Sequence, residues 1–238
     1  MTHLSVNLNK VALIRNSRGE NLPDLVQVAK DCEAYGAQGI TIHPRPDQRH
    51  ARYADVSALK EVVTTELNVE GNPIPKFMEV VLQYRPHQCT LVPDAPDALT
   101  SSTGWNTIKH ASFLRDICIQ LREAGIRSSI FVDPIPELVE GARHAGADRI
   151  EFYTGHFARQ YHADPAKAVH DHVHCARLAA ELGLEINAGH DLNLDNLHFY
   201  VTEVPQVAEV SIGHALISDA LYYGLENTIQ MYLHCLDM

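Results

Sequence analysis

Short runs of β-branched and apolar residues alternate along the chain with longer stretches whose apolar positions recur at helical spacing. The short runs predict strands at Leu4–Leu8, Gly39–Ile42, Leu67–Val69, Cys89–Val92, Ser128–Val132, Arg149–Tyr153, Leu184–Asn187 and Val207–Ile212. The longer stretches predict helices at Leu22–Tyr35, Asp55–Glu66, Pro75–Tyr84, Asn106–Ala124, Pro136–His144, Pro165–Leu182, Leu194–Val204 and Ala215–Leu236. A glycine stands where several helices stop and a strand begins, as in Ala145-Gly146-Ala147, because glycine takes the left-handed C′ position without a Cβ penalty. Pro93–Trp105 is long and polar, and reads as an active-site loop. Eight βα units in 238 residues match an α/β chain folded as one (β/α)8 TIM barrel over residues 1–238. The rival is an open doubly wound sheet. That fold has fewer strands and a glycine-rich first turn, whereas here the first strand runs into Asn7-Leu8-Asn9-Lys10.

Charge and composition narrow the function. The chain carries 19 Lys+Arg against 30 Asp+Glu, a net −11, which argues against general nucleic-acid binding. No apolar run is long enough to cross a membrane, and the start, Met1-Thr2-His3-Leu4, lacks the pattern of a secretory signal. Five cysteines without a C-x-x-C pair fit a reducing cytoplasm. The 15 histidines point toward acid–base or metal chemistry.

In a barrel the C-terminal strand ends converge on one mouth. Here they carry Asn7, His43, Glu70, Thr100-Ser101, Asp133, Thr154-Gly155, His190 and Gly213-His214. The segment Thr41–Arg52 places three arginines and two histidines on a loop stiffened by Pro44 and Pro46. Arg45 offers a planar fork of donors for a phosphate and His50 a further donor, so an anionic small substrate is the simplest reason for such a loop in an acidic chain. Glu70 closes the third strand, where scarce water favours a raised pKa and proton transfer. His190 follows Ala188-Gly189, a pair that permits close approach of a substrate. Gly213-His214 opens the last helix, a place suited to phosphate. Asn7, Asn9, Lys10, Arg15 and Arg18 form a polar first loop, with either arginine a ligand or an interface residue. His170, His172 and His174 read as a surface helix, and Glu151 as a second buried carboxylate that orients a catalytic group or pairs with an arginine.

Taken together, Val6–Lys10, Leu13–Gly19, Gly39–His50, Asn68-Val69-Glu70, Leu91-Val92-Pro93, Asn187-Ala188-Gly189-His190 and Ile212–Ala215 resemble the pyridoxine 5′-phosphate synthase family. The resemblance runs in order from about residue 4 to the C-terminus. It implies a TIM barrel that closes the vitamin B6 ring without a cofactor or required metal. The substrates implied are 1-deoxy-D-xylulose 5-phosphate and 3-amino-2-oxopropyl phosphate, and the products pyridoxine 5′-phosphate, inorganic phosphate and water. It also implies a homo-octamer built from dimers, with no nucleic-acid or membrane partner. By position, His43 and Glu70 match the family's general bases and His190 its general acid. Asn7, Gly213 and His214 match contacts to the amino-ketone phosphate; Asn9, Lys10, Arg45, His50 and Thr100 match contacts to the deoxyxylulose phosphate; Arg18 matches a further phosphate ligand.

Two departures stand out. Asn9-Lys10 replaces the Asp-His of many members, and Asp191 follows the acid histidine where many have glycine, which adds a negative charge at a substrate-binding position. Two other readings stay open on the residues alone. One is a metal-dependent barrel hydrolase, suggested by the histidines and weakened by the absence of His-x-His on the first strand. The other is a silent phosphate-binding barrel, which would not need His43, Glu70 and His190.

Overall fold

A computed structural model describes residues 1–94, 101 and 103–237. In chain order the elements are β1 (His3–Asn7), α1 (Asn9–Asn16), α2 (Leu25–Ala34), β2 (Gly39–Ile42), α3 (Tyr53–Val62), β3 (Leu67–Gly71) and α4 (Pro75–Tyr84). There follow β4 (Gln88–Leu91), α5 (Ala111–Glu123), β5 (Arg127–Val132), α6 (Pro136–Ala145), β6 (Arg149–Phe152), α7 (Gly155–Gln160) and α8 (Pro165–Glu181). The chain ends with β7 (Glu185–Gly189), α9 (Leu197–Glu203), β8 (Val207–Ile212), α10 (His214–Tyr223) and α11 (Leu225–Asp237). The eight strands pair in sequence order, all parallel, and β8 returns to β1 through Leu4–Val210 and Val6–Ile212. The barrel is closed, so the doubly wound alternative is excluded.

Period-two alternation sorts the side chains of each strand. Leu4, Val6, Ile40, Ile42, Val69, Leu91, Ile130, Ile150, Ile186 and Val210 are fully buried in the apolar layer shared with the helices. The alternate positions are polar and equally buried: Ser5, Thr41, Asn68, Thr90, Ser129, Glu151, Asn187 and Ser211. Four of them hydrogen-bond across strands, Ser5 Oγ with Thr41 Oγ1 at 2.7 Å and Thr90 Oγ1 to Asn68 Oδ1 at 3.1 Å. The usual barrel interior is filled by Val, Ile and Leu; this one is lined by hydrogen-bonding groups.

Three helical features differ from the sequence expectation. The polar first loop is mostly helix: α1 buries Val11, Ala12 and Arg15 despite its polar flanks. α7 is a short helix inside a stretch expected to be loop. The single terminal helix expected over Ala215–Leu236 divides at Gly224, whose φ of +78° no helix can continue. Among the triplet in α8, His170 and His174 are exposed, but His172 is buried and its Nδ1 lies 2.9 Å from Tyr200 Oη. It is a core residue, not a surface one. Among the described residues no helix is long and apolar enough to cross a membrane.

Candidate active site

A cavity of about 680 Å³ opens at the C-terminal ends of the strands. β1 and the start of α1 bring Asn7, Asn9 and Lys10 to it, and β2 with its loop brings His43, Arg45 and His50. Glu70 comes from β3, Glu151 from β6, His190 and Asp191 from the end of β7, and Gly213 and His214 from the β8–α10 junction. α7 contributes Arg159, which lies outside the strand ends on which the sequence reading concentrated.

The acid–base groups sit deepest. Glu70 is 8% exposed, and its Oε2 lies 4.0 Å from His43 Nδ1 and 3.4 Å from the Asn7 amide nitrogen, which donates to it. Burial pushes the Glu70 carboxyl well above the usual range, and the nearby carboxylates of Glu151, Glu209 and Asp94 push it further. His43 moves the opposite way. Burial, with the Arg45 guanidinium beside it, pushes its imidazole well below the ordinary value. Both shifts favour the uncharged form, a carboxyl that holds its proton more tightly facing an imidazole that holds its own less tightly. Glu151 is pushed up to about 7, chiefly by burial, and its Oε2 is buried without a hydrogen-bond partner among the described residues. Asn9 accepts the backbone N–H of His43 through Oδ1 at 2.9 Å, and Asn7 Oδ1 accepts the N–H of Asn9 at 3.0 Å. The β1 end thus fixes the β2 end.

The cationic side is equally built. Arg45 is buried and meets Asp94 at 2.6 Å, and Ser101 Oγ donates to the same carboxylate oxygen at 2.6 Å. His50 Nδ1 accepts the Ala51 N–H at 2.9 Å, so in the neutral ring the proton sits on Nε2. Burial and the charges of Arg45, Arg49 and Lys10 push His50 down to about 4. It is a neutral donor at physiological pH. Arg15, by contrast, is a structural residue: its guanidinium is buried against Asp55 at 2.7 and 2.9 Å and ties α1 to α3.

At the β7 end, His190 Nδ1 lies 2.8 Å from Asp191 Oδ2. Burial alone raises the Asp191 carboxyl, but the hydrogen bond to His190, with His190, Arg159 and His214 as positive neighbours, outweighs it and holds the group below the usual carboxylate range. Among the described residues no group of three or more His, Cys, Asp or Glu side chains is placed to hold a metal.

Comparison with known proteins agrees with this geometry. The sequence profile described as "Pyridoxal phosphate biosynthesis protein PdxJ" matches residues 4–238. The chain belongs to the PdxJ family. It is 58% identical over 233 residues to a pyridoxine 5′-phosphate synthase of Cytophaga hutchinsonii, with 98% of each chain covered. It is 56% identical to that of Flavobacterium johnsoniae, again over 98% of each chain. This PdxJ chain is therefore an enzyme of vitamin B6 biosynthesis. Among solved structures, the 3-keto-L-gulonate-6-phosphate decarboxylase of Vibrio cholerae aligns with TM-score 0.67 at 13% identity, covering 99% of this chain and 97% of that one. At that identity the likeness shows the barrel alone.

Against the PdxJ site expected from sequence, the cavity gathers His43, Glu70, His190, Asn7, Asn9, Lys10, Arg45, His50, Asp191, Gly213 and His214. Arg18 is not among them; it lies in the exposed turn after α1. Thr100 lies outside the described residues. The sequence reading missed Arg159, Asp94 and Asn193. Asp94, three residues beyond β4, had a positional signal; Arg159 had none, because nothing in sequence shows that α7 turns back over the mouth.

Proposed function

We propose that this chain is a pyridoxine 5′-phosphate synthase that condenses 1-deoxy-D-xylulose 5-phosphate with 3-amino-2-oxopropyl phosphate by general acid–base catalysis. The observation that carries the reading is the juxtaposition of Glu70 and His43, 4.0 Å apart in one cavity with His190, with burial raising the carboxyl and lowering the imidazole. Amine–ketone condensation, phosphate loss, water addition, ring closure and dehydration each move a proton at a different atom. No net electrons are exchanged between substrates and products, so two phosphorylated substrates and a set of acids and bases suffice.

In this scheme the substrate ammonium, arriving beside Glu70, supplies a positive charge that lowers the carboxyl which burial and its acidic neighbours raise. Glu70 then ionises and serves as a base alongside His43, while His190 returns protons to leaving oxygens. Each such group is worth about 10²–10⁴-fold in rate. Arg45, Lys10, Asn9 and the Nε2–H of His50 form one oxyanion cradle for the deoxyxylulose phosphate. Asn7, Gly213 and His214 form the other for the amino ketone, where a Cβ on residue 213 would come within 3.0 Å of Asn7. The family resemblance assigns Arg18 and Thr100 to further phosphate contacts, although Arg18 of this chain lies outside the cavity, in the exposed turn after α1. The five free cysteines, four of them buried, support a cytoplasmic setting. Exposed Leu13, Ile14, Leu221 and Tyr222 supply apolar surface for a homo-octamer, which light scattering checks.

The test mixes both substrates and omits each in turn. Phosphate release and a fluorescent pyridine product should require both. Release of phosphate from either substrate alone would refute a condensation.

A further inference from the structure

The end of β7 is a turn held on several sides. A Cβ on Gly189 would lie 2.1 Å from the Ser211 carbonyl oxygen, so the backbones of β7 and β8 meet directly there. The Gly189 carbonyl accepts from Thr154 Oγ1 and from the Leu192 N–H, each at 2.8 Å. Thr154 Oγ1 in turn accepts the Asp191 N–H at 3.3 Å. His190 is left with φ +26°, in the left-handed region that a non-glycine residue enters only when its surroundings demand it. The result of that turn is that two consecutive side chains face one another, His190 Nδ1 and Asp191 Oδ2 at 2.8 Å.

We propose that Asp191 is a positioning residue that holds His190 with its proton on Nδ1, leaves Nε2 as the nitrogen that exchanges a proton with the bound substrate, and supports the protonated ring between transfers. The assignment rests on the synthase reading for the identity of the reaction, and on the geometry alone for the pair. A carboxylate that accepts an imidazole N–H selects the tautomer and steadies the imidazolium. The surrounding charges suit that role better than direct phosphate contact, since a carboxylate repels a phosphate. Arg159 of α7 and His214 of α10 are the positive neighbours of Asp191, and Glu151 of β6 and His43 of β2 are the titratable neighbours of His190. Arg159 is itself steadied by Tyr153 Oη at 3.3 Å and His156 Nδ1 at 2.9 Å. The α7 wall thus balances a carboxylate that the reaction needs next to its acid.

The experiment compares wild type, D191N, H190Q and the double variant with both substrates saturating. D191N is expected to lower kcat by about tenfold to a hundredfold with KM for either substrate within about twofold. The alkaline limb of its kcat–pH profile should move down by about one pH unit, because removing the negative charge makes the ring release its proton earlier. In the H190Q background, D191N should cost nothing further. A rise in KM with kcat unchanged, or a full additional loss in the H190Q background, would overturn the proposal in favour of substrate contact. A readout independent of turnover uses chains labelled with ¹⁵N-histidine, with His190 assigned through H190Q. Wild type should show the Nδ1-protonated ring and D191N should lose it. An Nε2-protonated ring in wild type overturns the pairing even if D191N does not fold. If wild type turns over neither substrate while this tautomer is present, the synthase reading fails and the pair stands.

Discussion

The two ends of the barrel hold similar side chains and treat them in opposite ways. At the N-terminal end Arg127 pairs with Glu66, and Arg149 reaches Glu185 at 2.5 Å and both Glu66 and Glu209 at 3.7 Å. Two arginines meet three carboxylates, and burial with the charge of Glu66 pushes Glu209 up to about 8, so that it keeps a proton and the cluster comes close to neutral. At the C-terminal end the pairing is incomplete: Arg45 meets Asp94 and His190 meets Asp191, but the deepest groups keep like neighbours. Glu70 looks toward Glu151 and Asp94, and His43 toward Arg45 and His50. Sealed charges hold a barrel together; segregated charges wait for a ligand that carries the missing partners. The amino-ketone phosphate proposed as a substrate is zwitterionic and carries both.

The largest effect that separates the ends is catalytic. Glu70→Gln should cut turnover by about 10²–10⁴-fold while its thermal unfolding midpoint stays level or rises, since a buried ionisable group is removed. A parallel loss of stability would make Glu70 a structural residue like Arg149.

Next comes the sealed end. Arg149→Ala leaves Glu66 and Glu209 facing each other without their shared cation. It should cost about 3–5 kcal/mol of unfolding free energy, read by chemical denaturation. A neutral result would mean that the carboxylates simply take up protons.

Anions should act on the mouth alone. Inorganic phosphate at a hundred times its Kd should stabilise the chain by about 2.7 kcal/mol, seen as a rise in Tm. Arg45→Ala should shrink that rise to what the Asn7, Gly213 and His214 cradle supplies. An undiminished rise would place the phosphate away from the β2 loop.

The smallest effect is on pH dependence. His50 is pushed from 6.5 down to about 4 in the folded chain, so the unfolded chain takes up a proton that the folded one refuses. Stability should therefore decline as pH falls from about 6.5 to about 4, and the contribution should level off below that. His50→Gln should flatten that stretch of the Tm–pH curve. Identical slopes would show that the cations of the mouth do not govern this ring.

Much of the fold was legible because it rests on short-range rules. β2 and β8 begin and end where the pattern predicts, and α4 runs over Pro75–Tyr84 as expected, with Pro75 opening it. The local rules failed where a tertiary surface overrode them. α1 looks like a polar loop, yet Arg15 can be buried because Asp55, forty residues on, receives it. His172 looks exposed by spacing, yet Tyr200 waits for its ring nitrogen. The site residues at strand ends were readable because a barrel sends every strand end to the same mouth. Arg159 and Asp94 were not, since their place depends on how a connection folds back.

From its residues alone the chain specifies a barrel, its polar rim and the chemical types that line it, because strand alternation and helix caps are properties of neighbouring positions. Which groups keep or lose a proton is settled only when strands distant in sequence close on one another. Glu70 and His43 acquire their opposed shifts from burial and from the charges of β6, β8, Asp94 and the β2 loop, and no local segment contains those distances.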